Sequence, residues 1–165
     1  VTSEKNRLHA DTTKLVKFLE KSDYKTIVIY PNNDPGTKKI LDIYSQLNKK
    51  KFKIFPSLRF EYFISLLKNA KFIIGNSSCA IHEAPYLKVP AINIGTRQNK
   101  RFFSKAILNL NINDLDKKKI INFLINYKPL KFHYFGKGDS DKKFIEILNK
   151  KAFWRISTQK IFRNN

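Results

Sequence analysis

Five short apolar runs, most of them closed by Pro or Gly and followed by a stretch of helical periodicity, constrain this chain more than any other feature. Lys25-Thr26-Ile27-Val28-Ile29-Tyr30 is β-branched and stops at Pro31. Phe52-Lys53-Ile54-Phe55 stops at Pro56, and Phe72-Ile73-Ile74 ends on Gly75. Val89-Pro90-Ala91-Ile92-Asn93-Ile94 ends on Gly95, and Ala106-Ile107-Leu108-Asn109-Leu110 follows. Most of these runs are continuously apolar instead of alternating, which predicts strands buried on both faces.

Helical stretches fall between them. One spans Asp11 to Lys21, and another follows Gly36 with Ile40, Leu41, Tyr44 and Leu47 on one face. A third, Phe60 to Ala70, places Phe60, Phe63, Ile64, Leu66 and Leu67 on a single stripe. Ser77 to Leu87 has the length of a short helix that Pro85 ends or kinks. Asn113 or Asp114 suits the N-cap of a helix reaching about Tyr127. Two more are expected over Asp139 to Lys150 and Ala152 to Phe162. Strand and helix thus alternate, the signature of a doubly wound α/β domain with a mainly parallel sheet and helices on both faces. Residues 1–165 read as one domain, a length ample for a single core.

Charge is the feature most open to misreading. The chain carries 33 Lys and Arg against 13 Asp and Glu, a formal net charge of +20. That balance suits a nucleic-acid-binding module. Yet only six of the cations are Arg, beside 27 Lys, 20 Ile and 16 Asn, a set favoured by AT-rich codons. The excess is also spread along the whole chain, whereas nucleic-acid surfaces favour clustered Arg interleaved with aromatics. A solvated surface of biased composition is the expected reading, with no nucleic-acid partner.

A single cysteine excludes a disulfide framework and a cysteine-based zinc site. The three histidines, His9, His82 and His133, lack metal-ligand spacing, so no metal is expected. No apolar run approaches the roughly 20 residues that span a bilayer, and the N-terminal residues have no apolar signal core, so the expectation is a cytoplasmic protein without a membrane partner. Because the sequence contains no Met, it is expected to be part of a longer polypeptide.

In a doubly wound sheet, ligands bind at the carboxyl ends of the strands, which directs attention to three loops. The first is Gly75-Asn76-Ser77-Ser78-Cys79-Ala80-Ile81-His82-Glu83-Ala84-Pro85. Small hydroxyl residues at a strand-to-helix turn suit a phosphate, which backbone N–H groups and the helix dipole also favour. On spacing alone, the plainer reading is that either Ser77 or Ser78 simply caps the helix. Glu83 can accept both hydroxyls of a ribose, or it can be a surface carboxylate in an ion pair. Leu87, four residues on, cannot supply that pair. His82 and Cys79 read as structural.

The second loop, Gly95-Thr96-Arg97-Gln98-Asn99-Lys100-Arg101, holds two of the six arginines. Their guanidinium groups suit a diphosphate, or they are solvated. The third, Pro31-Asn32-Asn33-Asp34-Pro35-Gly36, is a tight polar turn that can line a cleft. No catalytic set accompanies these loops: there is no GxGxxG, Walker lysine loop, GxSxG elbow or HExxH.

The segment Gly75 to Pro85, followed by Val89-Pro90-Ala91-Ile92-Asn93-Ile94-Gly95-Thr96-Arg97-Gln98, closely resembles the UDP-N-acetylglucosamine 2-epimerases, above all their hydrolysing branch. Tyr30 to Gly36 is similar to the family's Pro-Asn-x-Asp-x-Gly loop. Tyr134-Phe135-Gly136-Lys137-Gly138-Asp139 is similar to its late Tyr-Gly-x-Gly turn, with Phe135 in place of the tyrosine. Ala80 stands where many relatives have Gly.

The resemblance implies the Rossmann-like, C-terminal half of a glycosyltransferase-B type fold. It implies a UDP-sugar as ligand, with Ser77 and Ser78 on the diphosphate, Glu83 on the ribose and Arg97 near the phosphates. The backbone near Leu58 would hold the uracil, while Asn32, Asp34, Asn76 and Arg101 would line the cleft. The family's acid–base carboxylates belong to its N-terminal domain, so the resemblance implies no catalytic residue in this chain and no turnover by it alone. It further implies no cofactor, packing of the last helix, Phe153 to Phe162, on that N-terminal domain, and a homo-oligomer when intact. In the intact enzyme, UDP leaves by anti-elimination after deprotonation at C2, and water adds to the glycal. The competing readings are a glycosyltransferase-B type sugar transferase and a basic nucleic-acid-binding module.

Overall fold

The structure is a computed structural model that describes residues 7–33, 35–129, 134–155 and 159. The chain divides into two compact units, residues 1–132 and 133–165.

In the first unit, helices and strands alternate in the order α1 (Leu8–Glu20), β1 (Thr26–Ile29), α2 (Thr37–Ser45), β2 (Phe52–Phe55), α3 (Phe60–Lys68) and β3 (Ile73–Gly75). Then come α4 (Glu83–Tyr86), β4 (Ala91–Ile94), β5 (Ile107–Leu110) and α5 (Lys117–Ile125). All five predicted strands form, and every strand pairing is parallel. The hydrogen bonds divide them into two ladders, a β1–β2 pair and a three-stranded β3–β4–β5 sheet.

The three-stranded sheet is covered on both faces, as its apolar runs predict. Ile73, Ala91 and Ile107 turn to one side and pack with Phe63 and Leu67 of α3, Ile81, and Ala84 of α4. Ile92, Ile94, Leu108 and Leu110 turn to the other and pack with Ile120 and Phe123 of α5 and with Leu15 and Phe18 of α1. All four residues of β4 are buried.

The β1–β2 pair departs from expectation. Val28, Ile54 and Phe52 pack against Val16 and Leu19 of α1 and Ile43 of α2. Ile27 and Ile29, on the alternate side of β1, are exposed. The β-branched run therefore marks a strand but not two-sided burial, because alternate residues of any strand face opposite ways. Three side chains, Leu15, Phe18 and Ile74, take part in both the core beside this pair and the core under α5.

Helix boundaries differ from prediction where local capping decides. α1 begins three residues before Asp11. The cap of α5 is Asp116, whose carboxylate accepts from the Lys118 amide at 2.6 Å, and not Asn113 or Asp114. Those two lie in a separate 3-10 turn, Ile112–Asp114.

In the second unit, α6 (Ser140–Leu148) and α7 (Lys151–Trp154) are joined at a tight corner. The Trp154 indole donates to the Leu148 carbonyl at 2.7 Å. Phe144, Ile145, Ile147 and Trp154 are exposed. The helix expected from Ala152 to Phe162 is thus seen as the four residues of α7, and the remainder of that stretch, apart from Arg155 and Gln159, lies outside the described residues. No described helix is long and apolar enough to cross a membrane.

Candidate functional site

The loops after β3 and β4 leave the same end of the three-stranded sheet, because Gly75 is in register with Asn93. Gly75 takes φ 148° and Gly95 φ 84°, conformations open to glycine and strained for other residues. The chain can therefore turn sharply at the last residue of β3 and at the residue just after β4.

Beyond Gly75 the expected helix is broken in two. Ser78–Ala80 forms a 3-10 turn, and α4 starts afresh at Glu83. Pro85 sits inside the first turn of α4, where its missing N–H costs nothing, so it neither ends nor kinks a longer helix. The break between turn and helix has a chemical consequence. A three-residue turn and a four-residue helix carry little macrodipole, so any anion affinity here rests on hydroxyls and side-chain charge.

Ser77 and Ser78 are both exposed. Ser77 does act as a cap, accepting from the Cys79 amide at 3.4 Å, a long bond that leaves its hydroxyl hydrogen available. Glu83 is the first residue of α4 and half-buried, and its Oε2 is fully enclosed with no hydrogen-bond partner. It joins no ion pair among the described residues. Its charge reaches the half-buried Cys79 thiol. Burial chiefly pushes that thiol's pKa up, the Ser77 hydrogen bond pulls it back, and the Glu83 carboxylate raises it further.

The loop after β4 makes two turns, with the Asn99 amide donating to the Thr96 carbonyl at 2.9 Å and the Arg101 amide to the Gln98 carbonyl at 3.3 Å. Arg97 and Arg101 are exposed, whereas Gln98 points inward and is 2% exposed. The Gln98 Nε2 donates to the Asn76 carbonyl at 2.9 Å and joins the two loops. Below them, Asn93 is fully buried and donates to Asn109 Oδ1 at 2.8 Å.

The structure therefore brings Asn76, Ser77, Ser78, Glu83 and the loop bearing Arg97 into one neighbourhood. Asn32 and Leu58 are placed by the other ladder, in the loops after β1 and β2, where Asn32 is exposed and Leu58 half-buried. The Asn32 carbonyl accepts from the Thr37 hydroxyl at 2.6 Å and Gly36, at φ 100°, starts α2. Asp34 lies outside the described residues. Sequence reasoning passed over Gln98 and Asn93 as functional candidates. Their signal was a polar residue within or beside an otherwise buried strand, which is costly unless a partner is provided. Among the described residues, no group of three His, Cys, Asp or Glu side chains is placed to hold a metal ion.

Residues 1–149 match the family described as UDP-N-acetylglucosamine 2-epimerase. A UDP-N-acetylglucosamine 2-epimerase of Neisseria meningitidis serogroup B is 41% identical over 98% of this chain and 44% of its own length. A GDP/UDP-N,N'-diacetylbacillosamine 2-epimerase (hydrolyzing) of Campylobacter jejuni is 48% identical over 47% of the chain and 20% of its own. The solved UDP-GlcNAc 2-epimerase of Methanocaldococcus jannaschii superposes with a TM-score of 0.61 at 28% identity, covering 88% of this chain and 42% of that one. The chain thus spans less than half the length of these relatives. By the extent of the match and by the shared fold, the chain belongs to the UDP-N-acetylglucosamine 2-epimerase family.

Proposed function

We propose that this chain is the nucleotide-binding, C-terminal half of a UDP-N-acetylglucosamine 2-epimerase of the hydrolysing kind, and that its ligand is a UDP-sugar. The observation that carries the reading is the half-buried Glu83, whose carboxylate joins no ion pair among the described residues, on the same strand-to-helix segment as two exposed serine hydroxyls. A carboxylate without a charged partner is open to donors from a ligand, and a ribose diol supplies two. Ser77 and Ser78 would donate to the diphosphate, and Arg97 would reach it from the adjoining loop. Leu58, with Asn32, Asp34 and Arg101, would complete the walls toward the base and the sugar.

The part played in the reaction is then electrostatic. When UDP leaves C1 of the sugar, negative charge grows on the diphosphate, and fixed hydroxyl and guanidinium donors lower the barrier. The acid–base carboxylates and the rest of the cleft would belong to an N-terminal domain facing this one, closing over the substrate. The hydrolysing assignment is supported by the diacetylbacillosamine relative's name and by the NSS and GTRQ motifs. It would direct the product, a 2-epimeric free sugar such as N-acetylmannosamine, toward sialic-acid-like synthesis. A cytoplasmic homo-oligomer fits such an enzyme.

Calorimetric titration tests this reading. The 165-residue chain should bind UDP in preference to random double-stranded DNA at 0.05 M and 0.2 M salt. Ser78→Ala should weaken UDP binding about tenfold, the worth of one hydrogen bond to a charged partner. DNA binding with a steep salt slope and no response to UDP would overturn the reading in favour of a nucleic-acid module.

A further inference from the structure

We propose that Gln98 is a positioning residue that sets the 76–77 peptide plane, and through it holds the serine loop and the arginine loop as one diphosphate cradle. The inference rests on the UDP reading above and assigns a role to a side chain that touches neither ligand nor reacting atoms.

Gln98 stands in a segment otherwise open to solvent. Thr96, Arg97, Asn99, Lys100 and Arg101 are all exposed, and Gln98 alone turns inward to near-complete burial. Burying a carboxamide is costly, and here it is only half repaid, because Nε2 has a partner and Oε1 has none. A glutamine kept for packing alone would be served better by an apolar residue of the same volume. What the amide provides is one directed bond across 22 residues of chain, to the main-chain oxygen of Asn76.

That oxygen belongs to the peptide whose N–H is Ser77's. The peptide unit is planar and trans, so fixing the direction of the carbonyl fixes the N–H in the opposite direction. Gln98 thereby aims the Ser77 amide away from itself and sets the entry angle of the serine turn. The preceding residue, Gly75, offers no stiffness of its own at φ 148°. On the other loop, drawing Gln98 inward obliges its neighbour Arg97 to face out. One hydrogen bond thus governs where a main-chain donor, two hydroxyls and a guanidinium stand relative to each other.

The test compares UDP with uridine, which lacks the phosphates, on the wild-type chain, Gln98→Met and Gln98→Glu. Gln98→Met keeps the volume and removes the bond. Gln98→Glu keeps the shape but can donate to the Asn76 carbonyl only when protonated. The expected result is a preference for UDP over uridine in the wild type that falls about tenfold in Gln98→Met, with uridine affinity unchanged. In Gln98→Glu the same loss should appear at pH 7 and be restored by about pH 4, relative to wild type at each pH. Amide exchange at residues 77–80 should quicken in Gln98→Met while α5 stays protected.

A UDP preference in Gln98→Met equal to wild type would overturn the positioning role and leave the UDP reading intact. So would equal losses for UDP and uridine, which a loosened fold produces. A wild-type chain that does not prefer UDP to uridine would overturn both. Should Gln98→Met fail to fold, the pH dependence of Gln98→Glu decides alone: restoration upholds the role, and a flat profile overturns it.

Discussion

Glu83 sets stability against binding in a way that one substitution can separate. Replacing it with Met keeps the chain length and the helix-forming tendency, and removes the enclosed Oε2 that has no partner. Relief of one buried, unsatisfied polar atom is worth about 1–3 kcal/mol. Against this stands the loss of an acidic residue from the first turn of α4, about 0.3–1 kcal/mol in a long helix and less in one of four residues. The free chain should therefore gain about 1–2 kcal/mol. At roughly 2–4 °C per kcal/mol for a chain of this size, its melting temperature should rise by about 2–8 °C. UDP affinity should move the other way, because hydrogen bonds to a charged acceptor contribute about 1.5–3 kcal/mol, or roughly 10- to 100-fold in Kd. Circular dichroism melts without ligand and calorimetry with UDP measure the two arms. A variant that melts lower than wild type and binds UDP equally well would refute the reasoning, and would make Glu83 a structural carboxylate.

Two further outcomes are expected. The single thiol, Cys79, reports on its neighbours. Its reaction with iodoacetamide should have a midpoint pH above that of a free thiol, Glu83→Gln should lower the midpoint, and Ser77→Ala should raise it; shifts of the same sign in both variants would contradict the site geometry. Because the unfolded thiol ionises first, its contribution to stability is complete below the ordinary thiol range and is lost as pH rises from that range through the raised value of the folded thiol. In the core, Phe52→Ala should cost about 3–5 kcal/mol, read from urea unfolding, since its ring is 1% exposed between α1 and the β1–β2 pair. A loss below about 1 kcal/mol would mean that the pair is not packed as described.

The legible part of this fold was the part governed by local chemistry. Short apolar runs located all five strands, four of them ending at a Pro or Gly, because β-branched and aromatic residues favour extended backbone and Pro and Gly stop it. Less legible was which side of a strand meets a partner. Ile27 and Ile29 look no different in sequence from Ile92 and Ile94, yet one pair is exposed and the other buried, and only the arrangement of helices decides. At the site, Ser77, Ser78 and Glu83 could be nominated because they follow the carboxyl end of a strand and sit in the motif that resembles the family, although capping is an equally local use of such residues and Ser77 does cap. Gln98 escaped notice because its role depends on a main-chain oxygen, and a main-chain oxygen leaves no trace in the sequence. The same blindness placed one continuous helix over Ser77 to Leu87, where a 3-10 turn and a separate short helix divide the work.

The two ladders share no hydrogen bond, so nothing in the backbone obliges them to melt together. Leu15, Phe18 and Ile74 do, since each is counted in the core on the β1–β2 side and in the core under α5. Opening either ladder strips apolar contacts from the other, which converts two small assemblies into a single cooperative unit. The β1–β2 pair, too small to persist in water by itself, thus borrows its persistence from three side chains. For the first unit this means one unfolding transition, seen alike by probes placed in either ladder.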